Sequence, residues 1–124
     1  MDLLTRKKYY ALGYEPTYWK EVAKTLERDK FDMLFLADSL GGGASADQIR
    51  YAVQFPCHDP VALVTYLSAL VHKLGLVVTV STTFYPPFLL ARTMATLDHL
   101  TTGRIGWKHR LLNIERGSAQ LWPK

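Results

Sequence analysis

Residues 74–107 read LGLVVTVSTTFYPPFLLARTMATLDHLTTGRIGW, and they carry two different periodicities separated by breakers. Leu76 to Thr83 is an apolar, β-branched run, the composition of a strand. The FYPP that follows is a rigid exit, since proline fixes φ and cannot donate a ladder hydrogen bond. From Phe88 the period changes. Phe88, Ala91, Met94, Ala95 and Leu97 recur at helical spacing and predict one buried stripe. Thr101-Thr102-Gly103 then turns the chain, and Arg104-Ile105-Gly106-Trp107 opens another strand. Strand, helix and strand in this order form a crossover unit, which joins parallel strands.

Working outward, DPVALVTYLSALVHKLG (59–75) is a well-punctuated helix. Asp59 can cap it, and Pro60 suits its first position. Leu63, Val64, Leu67, Leu70, Val71 and Leu74 form the expected buried stripe, with Gly75 as the C-terminal stop. In FDMLFLAD (31–38), Met33 to Ala37 is an unbroken apolar run ending at Asp38. That predicts a parallel strand buried on both faces. In TYWKEVAKTLERDK (17–30), Trp19, Val22, Ala23 and Leu26 share one helical face. Lys20, Lys24, Glu27 and Arg28 read as the solvated opposite face. The alternation of helix and strand predicts an α/β fold with a parallel sheet. Ser39 to His58, broken by Gly41-Gly42-Gly43, reads as a long loop of the kind that forms functional lids. Residues 1–16, with Gly13 and Pro16, read as a poorly structured segment.

A chain of 124 residues with 48% hydrophobic and 21% charged side chains predicts one globular domain. The one cysteine, Cys57, excludes an intramolecular disulfide and a cysteine-cluster metal site, and suits a reducing compartment. The N-terminus MDLLTRKKYY has no apolar core of a secretory signal, and no apolar run has the length of a membrane span. A cytoplasmic protein without membrane contact is the expectation. Net charge is +4, but Lys108, Arg110, Arg116 and Lys124 stand against only Glu115 in residues 108–124. The basicity therefore belongs mostly to that tail. It forms no basic stripe on a predicted element, so no nucleic-acid partner is expected.

Two polar groups fall directly at predicted strand C-termini: Asp38, and Ser81-Thr82-Thr83. In parallel α/β folds these ends face the ligand. Hydroxyls both donate and accept, which suits phosphate or flavin-ring oxygens, and a carboxylate can accept from a ring N–H or a ribityl hydroxyl. The bland alternatives stand beside these: Asp38 as a turn residue, and Ser81 to Thr83 as ordinary strand positions. Gly41-Gly42-Gly43 lacks the Lys-Ser/Thr pair of a phosphate loop. His58, His72, His99 and His109 show no ligand spacing, and no metal is expected. Asp98, His99 and Arg104 are spaced for a local ion and hydrogen-bond network, while Tyr66 and Phe88 read as core.

TLERDKFDMLFLADSLG (25–41), DPVALVTYLSAL (59–70) and the 74–107 stretch together resemble the bacterial luciferase-like flavin monooxygenases. The similarity is strongest to the branch of nitrilotriacetate monooxygenase component A and the dibenzothiophene-sulfone monooxygenases. It runs from about Tyr18 to Trp107, and ARTMATLDHLTTGRIGW (91–107) is its most specific part. The resemblance implies a (β/α)8 barrel, here partial, with about three parallel strands and flanking helices. It implies a two-component enzyme in which a separate flavin reductase supplies reduced FMN by diffusion, and FMN with O2 oxygenates a small organic substrate. Asp38 then matches the acidic residue lining the flavin site. Ser81, Thr82 and Thr83 match the strand end where a threonine contacts FMN, the choice between Thr82 and Thr83 staying open. The resemblance names no catalytic residue in this chain.

The family pattern after GRIGW continues as NIVTS, whereas this chain reads Lys108-His109-Arg110-Leu111-Leu112. Asn-Ile-Val coded AAC ATC GTN becomes AAA CAT CGT, Lys-His-Arg, on insertion of one A. Residues 108–124 therefore read as a tail departing from the family after a partial barrel domain at 17–107, through a shifted frame, an unspliced boundary or a selected tail. Three functions follow as expectations. One is a fragment of an FMN-dependent monooxygenase, inactive as this chain alone. Another is a non-catalytic half-barrel that pairs with itself or with a full-length homologue. The third is a residual flavin-binding module.

Overall fold

The computed structural model describes residues 15–38 and 58–110. Six elements alternate along it: α1 (Pro16–Arg28), β1 (Met33–Leu36), α2 (Pro60–Ser68), β2 (Gly75–Ser81), α3 (Pro87–Thr101) and β3 (Ile105–Arg110). The strands form one parallel sheet in the order β1-β2-β3. Leu36, Val78 and Trp107 share one register line, and Ser81 lies level with Arg110. Residues 1–14, the Gly-rich loop up to Cys57 and the tail beyond Arg110 lie outside the described residues, while the end of the segment read as poorly structured is ordered: Glu15 is the N-cap residue of α1 and Pro16 opens it. The domain boundary drawn after Trp107 falls inside β3, which continues through Lys108, His109 and Arg110.

Local chemistry explains the element ends. Each helix begins at a proline, whose missing N–H costs nothing in the first turn. Asp59 caps α2 as expected, its carboxylate accepting from the N–H groups of Val61 and Ala62 at 2.9 and 3.0 Å. α1 and α3 end alike. Phe31 N–H reaches Leu26 C=O and Lys30 N–H reaches Glu27 C=O, while Gly103 N–H reaches Asp98 C=O and Thr102 N–H reaches His99 C=O. This closure needs a left-handed residue, supplied by Lys30 (φ 63°) and Thr102 (φ 56°).

The core lies between the sheet and all three helices. Leu36, Leu76, Val78 and Val80 meet Ala23 of α1, Val64 and Leu67 of α2, and Leu90 and Leu97 of α3. Side chains alternate across a strand, so Met33, Phe35, Val77, Thr79, Ser81 and Lys108 turn to the opposite face. Consecutive strands lying side by side with their helices on one face form a barrel wall; a doubly wound sheet would have helices on both.

Several sequence expectations are corrected here. β1 is buried on one face only: Met33 is 58% and Phe35 43% exposed, because the helices cover only the other side. Gly75 does not stop a helix. α2 ends at Ser68, and Gly75 opens β2 with its N–H on Asp32 C=O at 3.0 Å. The α3 stripe rotates onto Leu90, Leu97 and Thr101, with Met94 half-buried. Phe88 is 76% exposed, and Ala91 and Ala95 are also exposed. Tyr66 is exposed too, and its hydroxyl donates to Pro16 C=O.

Candidate functional site

Parallel strands bring their carboxyl ends to one edge of the sheet, and the polar residues singled out from the sequence gather there. Asp38 lies two residues past the end of β1 and is half-buried. Ser81 is the last residue of β2 and is buried, and Thr82 and Thr83 form the turn after it. Thr83 N–H donates to Ser81 Oγ at 3.3 Å, which leaves the Ser81 hydroxyl hydrogen free to donate onward. Thr82 Oγ1 sits 2.8 Å from His109 Nε2 and ties the β2 turn to β3.

Sequence reasoning missed two residues at this edge. Tyr85 follows the Ser81–Thr83 turn. Burial pushes its phenol above the ordinary tyrosine range, and the carboxylates of Asp59 and Asp38 add to the effect. Its signal was an aromatic residue between a strand end and a proline pair. His109 has no ligand spacing in the sequence, yet its ring meets both Thr82 and Trp107, the latter at a centroid distance of 6.0 Å. Its partner lies on another strand, so no local pattern announces it. Beside this edge a cavity opens between the N-terminal ends of α1 and α2, lined by Pro16, Trp19, His58, Asp59, Leu63 and Tyr66.

The expected network of Asp98, His99 and Arg104 does not form as drawn. The Arg104 guanidinium reaches back across the sheet to Leu74 C=O at 3.0 Å and Ser68 C=O at 3.3 Å. Glu27, read as solvated, accepts from the backbone N–H groups of His72, Lys73 and Leu74. Both are structural ties on the helix side. No group of three or more His, Cys, Asp or Glu side chains among the described residues is placed to hold a metal ion. No described helix is long and apolar enough to cross a membrane.

The fold defines a class: a wall of a (β/α)8 barrel, with polar side chains gathered at its strand ends. The sequence profile of the luciferase-like monooxygenases matches residues 3–108, and the chain belongs to that family. It is 45% identical over 95 residues to the long-chain alkane monooxygenase of Geobacillus thermodenitrificans, covering 73% of this chain and 22% of that protein. The solved structure of a long-chain alkane monooxygenase superposes with a TM-score of 0.79 at 38% identity, covering 90% of this chain and 27% of that one. Nitrilotriacetate monooxygenase component A of Aminobacter aminovorans is 39% identical over 98 residues, covering 73% of this chain and 22% of that protein. A riboflavin lyase solved with modified FMN and riboflavin superposes with a TM-score of 0.76 at 37% identity, covering 85% and 25% of the two chains. The chain thus spans about a fifth of the length of the curated relatives it matches.

The donor set at the edge fits a flavin. It offers hydroxyls that both donate and accept, a carboxylate that only accepts, and strand ends open to a ligand.

Proposed function

We propose that this chain forms part of the FMN site of a two-component monooxygenase. Asp38 accepts from flavin N–H or ribityl hydroxyl groups, and Ser81, Thr82 and Thr83 donate to flavin oxygens. The observation that carries this reading is the convergence of Asp38 and the Ser81–Thr83 turn on the carboxyl edge of one parallel sheet. Bound reduced FMN, supplied by a separate reductase, provides the oxygen chemistry that oxygenates a small organic substrate. The chain's residues orient the cofactor through this acceptor and these donors. A closed barrel needs eight strands and the described residues give three, so turnover requires more wall than this segment supplies.

The test is a fluorescence titration of FMN, oxidised and dithionite-reduced, with the wild-type chain and with Asp38→Asn and Thr82→Val. Saturable binding that weakens about tenfold in each variant supports the assignment. Binding unaffected by both variants, or none at high micromolar flavin, overturns it. A second reading, a half-barrel that pairs with itself or with a longer homologue, draws on exposed Phe31, Met33 and Phe35. A monodisperse dimer by light scattering, without flavin binding, would favour it.

A further inference from the structure

Lys108 introduces a positive charge onto the sheet face that the helices leave uncovered. In register, Lys108 of β3 lies level with Thr79 of β2, and Phe35 of β1 lies level with Val77. All four therefore point to the same face. The Lys108 ammonium stands 5.3 Å from the centroid of the Phe35 ring. β2 lies between those two strands, so the lysine leans across the middle strand to reach that ring. Next to it Thr79 is only 6% exposed, and its Oγ1 has no hydrogen-bond partner among the described residues. A buried hydroxyl without a partner is uncommon, because burial removes its water without replacement. Among the described residues the ion pair is Arg28–Asp29, on the far end of α1, and none of their carboxylates pairs with Lys108.

We propose that Lys108 Nζ and Thr79 Oγ1 form a binding site for an oxyanion on the inner face of the sheet. The ammonium supplies charge and donors, and the hydroxyl supplies an oriented donor that is already desolvated. Phe35 holds the ammonium over the sheet through its ring face. The Ser81 hydroxyl, two residues further along the same face, extends the donor row toward the strand ends. The oxyanion is either the phosphate of the flavin or an acid group on the organic substrate. The first of these rests on the flavin reading above; the site itself rests on the register, the orphaned hydroxyl and the lysine charge beside it.

Equilibrium binding to the full 124-residue chain tests the site without any turnover. The probes are FMN, riboflavin, and methanesulfonate as a competitor, at low and at moderate salt. The variants are Lys108→Met, Thr79→Val and Lys108→Arg, with circular dichroism as the control for folding. Thr79→Val preserves shape and β-branching, so it reports the hydroxyl alone. If the phosphate is the ligand, FMN binds at least tenfold tighter than riboflavin, and Lys108→Met and Thr79→Val each narrow that gap. If the acid group of a substrate is the ligand, the two flavins bind equally and methanesulfonate binds in a Lys108-dependent, salt-sensitive way. Lys108→Arg keeps most of the binding in either case. Flavin binding indifferent to Lys108 and Thr79, with no methanesulfonate binding, overturns the site and leaves the flavin reading standing. Methanesulfonate binding without flavin binding does the reverse. No binding of any probe overturns both.

Discussion

Glu27 and Arg104 grip the same residue from its two polar sides: the Leu74 N–H donates to the Glu27 carboxylate at 3.1 Å, and the Leu74 C=O accepts from the Arg104 guanidinium at 3.0 Å. Leu74 itself is buried, at the point where the α2–β2 connection enters the sheet. One end of this clamp comes from α1 and the other from the residue just before β3, so it ties α1, the α2–β2 connection and β3 together.

Glu27 makes stability depend on acid. Three backbone donors, Lys73 foremost, hold its carboxyl below its ordinary value of 4.5. A carboxyl depressed on folding contributes fully above its unfolded value, and its contribution disappears as pH falls through the folded one. Glu27→Gln should cost about 1 kcal/mol at pH 7, since the group is partly solvated. It should also flatten the decline of the urea midpoint as pH falls below the ordinary value of 4.5. A midpoint that falls equally steeply in both proteins refutes the role.

Arg104 should be harder to replace. Arg104→Ala strands the Leu74 carbonyl in a buried position and should cost about 2 kcal/mol. Arg104→Lys should recover less than half of that, because an ammonium cannot present two diverging donors to Leu74 and Ser68 at once. Chemical denaturation of the three proteins at one pH separates these values. Full recovery by lysine would mean that charge, and not the fork, matters.

How much of this was legible follows from where the signals lie. The change of period within 74–107 is local to the backbone, so β2, α3 and the opening of β3 could be read directly. Asp38 and Ser81–Thr83 could be placed at the carboxyl edge of the sheet because each falls at the end of a readable apolar strand. Glu27, Arg104 and His109 could not. Their partners lie 45, 30 and 27 residues away, and two of them bind backbone that carries no residue identity. The exposure of Met33 and Phe35 was illegible for another reason: apolar residues on an inner barrel face look the same as core residues until the covering side is known.

The two left-handed helix ends give a stabilising prediction. Lys30 (φ 63°) and Thr102 (φ 56°) occupy a conformation that costs a side-chain-bearing residue about 1 kcal/mol. Thr102 is β-branched and the more strained of the two. Thr102→Gly should stabilise the chain by about 1 kcal/mol and Lys30→Gly by somewhat less, offset by the greater freedom of glycine in the unfolded chain. Thermal midpoints of the two variants should rise in that order. A fall in both would mean that the turn is set by something other than the backbone angle.

Glycine at 75 and at 106 serves the sheet by leaving room, and the two should not tolerate alanine equally. A Cβ at Gly75 would lie 2.9 Å from the Asp32 carbonyl oxygen and 3.3 Å from Met33 Cβ. That same carbonyl accepts the Gly75 N–H, so the clash falls on a ladder contact that must move as a unit. A Cβ at Gly106 would meet Val77 Cγ2 at 2.9 Å, which is side chain and can turn at the cost of an unfavourable rotamer. Gly75→Ala should therefore cost about 3 kcal/mol and Gly106→Ala about 1 kcal/mol. The Gly75 variant should also lose protection of the β1–β2 amides in hydrogen exchange while the β2–β3 amides stay protected. Equal costs, or exposure beginning at β3, would place the tight point of the sheet at the wrong strand pair.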